Sequence, residues 1–356
     1  KADRESWKND IAQLNGEFAK IKEKKVYAVT PKKPGITRLL VRGSPFEPAG
    51  EVAPGGIASV ASALSADFGL KPDAPDDQRR TKLAEWITHP DNPLFARVMM
   101  NRLWHYHFGQ GLVKTPNDLG LSGGKASHPE LLDWLAAEFR ASGWSLKKMH
   151  RLICDSATYR QSSQANSQAQ QIDAGNVLLW RHTPARLEAE VIRDSILKVS
   201  GQLNLKMSGP GYRDFKMYQH KGSWVYDPID PEGPEFNRRS IYRTWARGNV
   251  HPLLTPLDCP DPSAATPVRS VTTTPLSALA LMNTSFSLRM ADTFAQRLKT
   301  ETSDGIHTQI KRAYLLAFAR EPSEAELVLT SDFVKKNGLP AFCRVLFNLN
   351  EFIYLN

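Results

Sequence analysis

The chain is 356 residues long, with 41% hydrophobic and 23% charged residues, a composition typical of a globular protein with a sizeable core. No uninterrupted apolar run approaches the roughly 20 residues of a membrane-spanning helix, so no transmembrane segment is expected. The net charge is +9, but lysines concentrate in the first 33 residues and basic and acidic residues alternate elsewhere, so no nucleic-acid partner is expected.

Residues 1–35 are predicted to form an N-terminal helical arm and a linker. A helix over 3–25 would carry a narrow apolar stripe on an otherwise charged surface, which is typical of a helical hairpin or coiled-coil arm. The stripe consists of Ile11, Leu14, Phe18 and Ile21. The partner of such an arm would precede Lys1, which is not a methionine, so we expect the chain to continue an upstream domain.

Residues 36–76 are predicted to form a strand and an extended connector. Residues 26–29 and 36–41 are strand-like runs bounded by Pro and Gly. Residues 44–76 are rich in Pro, Gly, Ala and Ser, a composition typical of an extended segment.

Residues 77–356 are predicted to form a C-terminal helical domain. One helix ends before His89-Pro90, and a second runs from Pro93 to the glycines at 109 and 111. The Ser127 and Glu130 spacing predicts a capping box for a third helix, and Ser145 is a predicted cap of a fourth. Short loops between these helices indicate a bundle-like core.

The second half of this domain contains a long irregular insertion. Residues 183–201 predict a helix that starts at Thr183-Pro184. Residues 202–262 lack helical periodicity and are rich in Gly, Pro and aromatic residues, and alternation over 241–246 predicts a strand there.

The tail is predicted to be helical again, so the fold class is mainly α. The prediction is a helical bundle-like domain with short β strands and a Gly/Pro/aromatic-rich insertion at about 202–262. The predicted tail helices are 276–299, 307–319, 324–336 and 340–353, and Ser323 with Glu326 forms a capping box for the third.

The three cysteines are widely separated and show no metal-binding or redox spacing. Without Cys-x-x-Cys-His there is no site for covalent haem attachment, so no cofactor is expected in this chain. Cys154 and Cys343 lie in apolar helical patterns typical of buried thiols, and the disulfide state of these two and Cys259 stays open.

Several ordered blocks of the chain from about residue 36 onward resemble the uncharacterised C-terminal domain of planctomycete cytochrome c-containing multidomain proteins. The blocks include Asn101-Arg102-Leu103-Trp104, Phe108-Gly109-Gln110-Gly111-Leu112-Val113, His128-Pro129-Glu130-Leu131-Leu132-Asp133-Trp134-Leu135, Arg186-Leu187-Glu188-Ala189-Glu190, Ile192-Arg193-Asp194, Arg238-Arg239-Ser240 and Thr272-Thr273-Thr274-Pro275-Leu276. One departure is Pro-Leu-Ser-Ala-Leu at 275–279, where the family commonly has Gln for Ser.

This resemblance implies a cellular location and neighbouring domains, but it implies no reaction. Such domains usually follow a cytochrome-like domain in large exported proteins, so an extracytoplasmic location (periplasmic or cell surface) is expected. The upstream domains of the same polypeptide are then expected partners, and haem could be held in one of them. The resemblance carries no catalytic roles to these residues.

A first group of candidate site residues lies between 102 and 133. Imidazoles and carboxylates there could bind a metal or act as an acid–base pair, together with Arg102. The group is His105, His107, Asp118, His128, Glu130 and Asp133. Because positions 105 and 107 lie on opposite sides of a helix, a structural role is favoured and no metal is assigned.

A second group lies on the predicted helix that starts at 183. Steps of three and four residues would place Arg186, Glu190, Arg193 and Asp194 on one face. Such a face could bind an anionic substrate with a carboxylate as base, although an ion-pair ladder to a neighbouring helix is the favoured alternative. Convergence of Arg186 and Arg193 with Arg102, His107 and Asp118 in one pocket would indicate a functional site.

A third group suits binding of sugar rings, because aromatic faces and bidentate polar groups recognise pyranoses. Its members are Tyr159, Arg160, Trp224, Arg238 and Arg239. The alternative is that the aromatic residues of the insertion form a small core of their own.

No catalytic motif, such as a nucleophile elbow, phosphate loop or His-Glu-x-x-His, is present in the sequence. The first hypothesis is therefore a docking or ligand-binding module of a larger cytochrome-associated protein, with polysaccharide or protein as ligand. The alternative is a carbohydrate-active or other enzyme of unrecognised type with a His/Asp/Arg site.

Overall fold

The computed structural model describes residues 2–20, 28–60, 64–302 and 305–355, and the fold is mainly helical, as predicted. Its helices are α1 Ala2–Lys20, α2 Asp76–Thr88, α3 Pro93–Phe108, α4 Pro129–Ala141, α5 Leu146–Asp155, α6 Ser167–Ile172, α7 Ala189–Val199, α8 Pro275–Asn283, α9 Ser285–Glu301, α10 Ile306–Phe318, α11 Glu324–Asn337, α12 Leu339–Leu346 and α13 Asn350–Ile353. Its strands are β1 Arg38–Leu40, β2 Pro48–Glu51, β3 Ala185–Arg186, β4 Phe215–His220, β5 Ser223–Pro228 and β6 Tyr354–Leu355. Within the described ranges, no helix combines the length and the hydrophobicity needed to cross a lipid bilayer.

The chain forms two compact units, of which the first is Lys1–Phe95. Strands β1 and β2 pair in an antiparallel hairpin, which confirms a strand within 36–41, whereas Ala28 and Val29 belong to no strand. The stripe residues on α1 that the structure describes are exposed, and Ile21 lies outside the described residues, as do Val26 and Tyr27. The predicted segment boundaries at 36 and 77 stay predictions.

Trp86 on α2 organises the connector of this first unit. Its ring is buried and its Nε1 donates a hydrogen bond to the carbonyl of Ser65. A Cβ at position 56 would lie only 2.5 Å from this ring, so Gly56 is the residue that lets the connector approach it. The extended 44–76 segment is thus anchored by one aromatic side chain.

The second unit, Ala96–Asn356, contains a first core built by α3, α4 and α5. Ser145 caps α5 by accepting from Lys148 N, as predicted. The predicted Ser127–Glu130 capping box is wrong: His128 is the N-cap residue of α4 and its side chain makes no cap bond. Ser127 instead donates through its hydroxyl and its amide to the carbonyl of Leu112, so it fastens the preceding loop.

The helix predicted to start at 183 begins six residues later. Residues 185 and 186 pair antiparallel with β6, so Ala185 faces Leu355 and Arg186 faces Tyr354, and α7 starts at Ala189. The physical reason is that this backbone is hydrogen-bonded to the C-terminal strand, which holds it extended. Arg186 therefore does not share a helix face with Glu190, Arg193 and Asp194, and that part of the prediction is wrong.

A larger core is formed by α7 and the tail helices, with Phe294 and Phe347 fully buried and stacked. The tail is helical as predicted, and the Ser323–Glu326 capping box is present. The single helix predicted over 276–299 is two helices, because Thr284 adopts an extended conformation and its hydroxyl caps α9. The predicted 340–353 helix is likewise divided into α12 and α13.

The insertion contains a two-stranded antiparallel hairpin, β4–β5, in which Gln219 pairs with Trp224 near the turn. The strand predicted over 241–246 is wrong. Residues Ser240–Tyr242 form a short 3-10 turn, and only an isolated bridge joins Tyr212 to Arg243. The insertion is organised by buried arginines rather than by a sheet.

Candidate functional site

The second unit contains a cavity of about 840 Å³, here called the large cavity. This volume lies within the range of ligand pockets in proteins, roughly 300–1,000 Å³. Its walls come from the end of α3 and the loop after it, from residues 174–189 and from the loop 257–271. The cavity thus gathers segments that are far apart in the sequence.

One wall consists of aromatic rings packed edge to face around Tyr159. The ring centroid of Tyr159 lies 5.4 Å from that of His107, 5.6 Å from that of His182 and 5.9 Å from that of Phe108. All three pairs are nearly perpendicular, the arrangement that aromatic quadrupoles favour. The wall is therefore a rigid, mostly apolar surface with polar ring edges.

The loop that continues this wall is fixed by Asn101. Its amide is fully buried on α3, accepts from Val113 N at 2.7 Å and donates to Val113 O at 3.0 Å. A Cβ at Gly111 would lie 2.8 Å from the Asn101 Oδ1 and 2.6 Å from the Val113 carbonyl. Only glycine lets the loop close on Asn101, which explains why these residue types stand together in two of the sequence blocks.

His107 is held by a second imidazole. Its Nε2 lies 2.8 Å from Nδ1 of His150, and the ring centroids are 5.1 Å apart. One of the two ring nitrogens donates to the other in this bond. Burial, and secondly the neighbouring His150, lower the pKa of His107, and burial lowers that of His105. His105 and His107, two of the three histidines that line the cavity, are therefore neutral near pH 7.

The opposite wall is fastened by Arg186. Its guanidinium donates to the Asp258 carboxylate at 2.6 Å and to the carbonyls of Leu257 and Thr272. Asp258 also accepts from the amide and the hydroxyl of Thr272, so the two ends of the loop 257–271 are joined. Because the Arg186 side chain is only 5% exposed, this ion pair positions the loop.

Glu190 holds the same loop from the first turn of α7. It accepts from Arg269 at 2.7 Å and lies 3.5 Å from the Cys259 thiol. Burial opposes ionisation of Glu190, but hydrogen bonds, chiefly from Arg269, outweigh it and keep its pKa below the usual value. Burial first, and then Glu190, raise the pKa of the Cys259 thiol to about 12, so this cysteine stays protonated and is a poor nucleophile.

The structure brings only some of the predicted candidates together. His107, Tyr159 and Arg186 line the large cavity, and Glu190 binds its loop. Arg102 and Asp118 are exposed, Arg102 donating to Asn117 and Asp118 accepting from the Gly120 amide. The predicted convergence with Arg102 and Asp118 is therefore not found.

The remaining candidates of the first and third groups lie elsewhere. These are His128 beside Ser127, Arg160 and Glu130 exposed on the surface, Asp133 paired with Arg97, Trp224 exposed on the hairpin, and Arg239 exposed near Asp194. No cluster of three or more metal-ligating side chains occurs among the residues that the structure describes.

Arg193 and Asp194 hold the insertion to α7, and Arg238 joins parts of the insertion to each other. Arg193 donates to the carbonyls of Phe236 and Arg238, and Asp194 accepts from the amide and hydroxyl of Ser240. Arg238 is buried, donates to the carbonyls of Lys206, Ser208 and Pro210, and stacks on Tyr242. These side chains satisfy backbone carbonyls that no sheet satisfies.

A buried polar group that the sequence analysis missed lies beside a second cavity of about 120 Å³. Asp214 accepts from Arg243 Nε at 2.7 Å, and His251 Nε2 lies 3.3 Å from the same carboxylate oxygen. His251 Nδ1 accepts from the amides of Leu253 and Leu254, so the proton of the neutral ring is on Nε2. The three residues have no common spacing in the sequence, so no motif could have found them.

We expect acid to destabilise the protein from about pH 6.5 downward, partly through His251. Burial is the largest influence and lowers the pKa of His251 in spite of Asp214. A base with a depressed folded pKa contributes stability above its unfolded pKa, about 6.5, and loses it as pH falls towards the folded value. Urea unfolding of the wild type at pH 7.5, 6.5 and 5.5 should show a free energy of unfolding that decreases as the pH falls. The decrease should be smaller in His251→Asn.

Replacement of the exposed His307 by Gln serves as the control and should leave the pH dependence unchanged. His105 and His107 act in the same direction, so some loss persists in His251→Asn. An identical pH dependence in the wild type and His251→Asn would contradict the prediction.

Fold and cavities together define a mainly helical domain with a ligand-sized cavity whose walls are held by partly buried ion pairs. The chain belongs to the PSD1 family, proteins of unknown function (DUF1553), whose model matches residues 79–334. No curated protein and no solved structure matches the chain. The resemblance is thus confirmed at the level of a domain of unknown function, and the association with planctomycete cytochromes stays a prediction.

Proposed function

We propose that this protein is a ligand-binding module and that its large cavity binds a segment of polysaccharide. The observation that carries the proposal is the cavity of about 840 Å³ with a wall of perpendicular rings around Tyr159. Ring faces and edges next to buried hydrogen-bonding groups suit the alternating apolar and hydroxyl surfaces of sugar rings.

Binding is favoured over catalysis by how several reactive groups in and beside the cavity are engaged. Asp258 lines the cavity and is paired with Arg186, and beside the cavity Glu190 is paired with Arg269 and the Cys259 thiol is protonated. A general base or nucleophile needs a free lone pair directed at the substrate. The carboxylates of Asp258 and Glu190 instead accept hydrogen bonds from arginines of the cavity wall.

The setting of the module is part of the same proposal. We expect it to act outside the cytoplasm, attached to upstream domains of a larger exported, cytochrome-associated polypeptide in which any haem would belong to those domains. This part is supported by the resemblance of the sequence blocks described above.

Isothermal titration of a panel of oligosaccharides against the protein tests the proposal. Replacement of Tyr159 by Ala should weaken binding about tenfold or more, because the central ring of the wall is lost. The matched control is Trp224→Ala, which removes an exposed aromatic side chain on the hairpin that does not line the cavity. Unfolding temperatures of both variants show whether the fold is kept.

The outcomes separate the alternatives. Weaker binding in Trp224→Ala, with Tyr159→Ala unchanged, would move the site to the hairpin. Absence of binding to every member of the panel would overturn the proposal. Release of shortened products, followed by chromatography, would replace it by the enzyme hypothesis.

A further inference from the structure

Three arginines line the large cavity, and they differ in their partners. Arg186 is paired with Asp258, and Arg269 with Glu190 and Glu188. The guanidinium of Arg181 makes no hydrogen bond or ion pair with any residue that the structure describes. Arg181 is therefore the cation of this cavity that lacks a neutralising partner.

The position of Arg181 is nevertheless well defined. Its backbone amide and carbonyl are bonded to the side chain of Asn176, which is buried. Its guanidinium carbon lies 4.9 Å from the ring centroid of Trp180, a cation–π distance. Trp180 in turn donates through Nε1 to the carbonyl of Asp173. These contacts therefore fix the position of the Arg181 guanidinium in the absence of a ligand.

Asp173, the acidic residue of this segment, does not bind Arg181. Both carboxylate oxygens of Asp173 accept from backbone amides, Oδ1 from Val177 and Oδ2 from Leu178. The buried Nε of Arg181 has no acceptor among the residues that the structure describes, and the same holds for Nε of Arg186. What distinguishes Arg181 is that no carboxylate pairs with it, whereas Asp258 pairs with Arg186.

We propose that the large cavity binds an acidic saccharide and that Arg181 binds its anionic group. This inference rests on the proposed function of the cavity. A guanidinium matches the two oxygens of a carboxylate or a sulfate in bidentate geometry, and charge-assisted bonds of this kind are about twice as strong as neutral ones. Because Arg186 and Arg269 are each paired with a carboxylate, Arg181 is the arginine of the cavity wall that can give it selectivity for an anion.

Matched pairs of oligosaccharides test the inference by titration at neutral pH. The pairs are oligogalacturonate and its methyl ester, oxidised and unoxidised β-1,4-glucan oligomers, and sulfated and desulfated galactan oligomers. The first two pairs present carboxylates and the third presents sulfates. We expect at least one acidic member to bind tenfold or more tightly than its neutral partner.

Variants assign that preference to one side chain. Arg181→Gln should abolish the preference, and Arg181→Lys, which keeps the charge without the fork, should retain part of it. Arg151→Gln removes an exposed arginine of α5 that does not line the cavity, and it should behave as the wild type. Because the wild-type comparison needs no variant, the test holds even if a substitution impairs folding.

Two results would overturn the inference: equal or tighter binding of the neutral members, or an acidic preference that survives in Arg181→Gln. Either leaves the cavity as a saccharide site and removes only the role of Arg181. If no saccharide of either kind binds, the proposed function fails together with the inference.

Discussion

Replacement of Arg243 by Met is expected to lower the free energy of unfolding by about 3–5 kcal/mol, the typical cost of removing one partner of a buried ion pair. The Arg243 side chain is 1% exposed and the Asp214 side chain 7% exposed. Without Arg243, Asp214 keeps only the hydrogen bond from His251, and its charge stays buried. Chemical denaturation at pH 7 measures the loss.

The matched control is Arg247→Met, an exposed arginine four residues along the chain. Surface changes of this kind usually stay within about 0.5 kcal/mol. A combined Arg243→Met and Asp214→Leu variant should recover part of the loss, because both buried charges are then removed. Equal stability of Arg243→Met and Arg247→Met would show that the pair is not buried as described.

Asn101→Ala is the second large effect expected, a decrease of about 2–6 kcal/mol in the free energy of unfolding. The substitution leaves the amide and the carbonyl of Val113 without partners in a buried place, and each unmade bond costs about 1–3 kcal/mol. Because the loop 109–112 forms part of the cavity wall, saccharide binding should weaken as well. Denaturation and titration are measured on the same samples.

Lys114→Ala is the control for Asn101→Ala, since Lys114 is exposed at the end of the same loop. It should change neither stability nor binding measurably. Should Asn101→Ala lose less than about 1 kcal/mol, the loop would have to be held by contacts other than this amide.

Local signals explain what could be predicted of the fold. Ser145 and the Ser323–Glu326 pair were predicted as caps because a cap joins residues only three positions apart. The capping box predicted from the same spacing at Ser127 is wrong, because the Ser127 hydroxyl donates to the carbonyl of Leu112 in another loop. Capping spacing is reliable only while no tertiary partner competes for the side chain.

Only some residues of the candidate site could be predicted from the sequence. His107, Tyr159 and Arg186 were selected from the sequence, and they line one cavity. Arg181 was not selected, because an arginine that lacks a partner looks in the sequence like any other. Arg181 lacks an ionic partner because Asp173 accepts from backbone amides and Asn176 bonds the backbone of Arg181. The periodicity of the sequence does not show these bonds.

By itself, the sequence determined that this protein is mainly helical, where several helices begin and end, and which family it belongs to. These features follow from apolar spacing, caps and ordered blocks, all of which act over short stretches of chain. The tertiary structure alone decided that Arg186 lies on a strand and that Asp214, Arg243 and His251 meet. It also decided that Arg181 lines a cavity with no ionic partner in the part of the chain that the structure describes, because pairing between distant segments sets which polar groups are already satisfied.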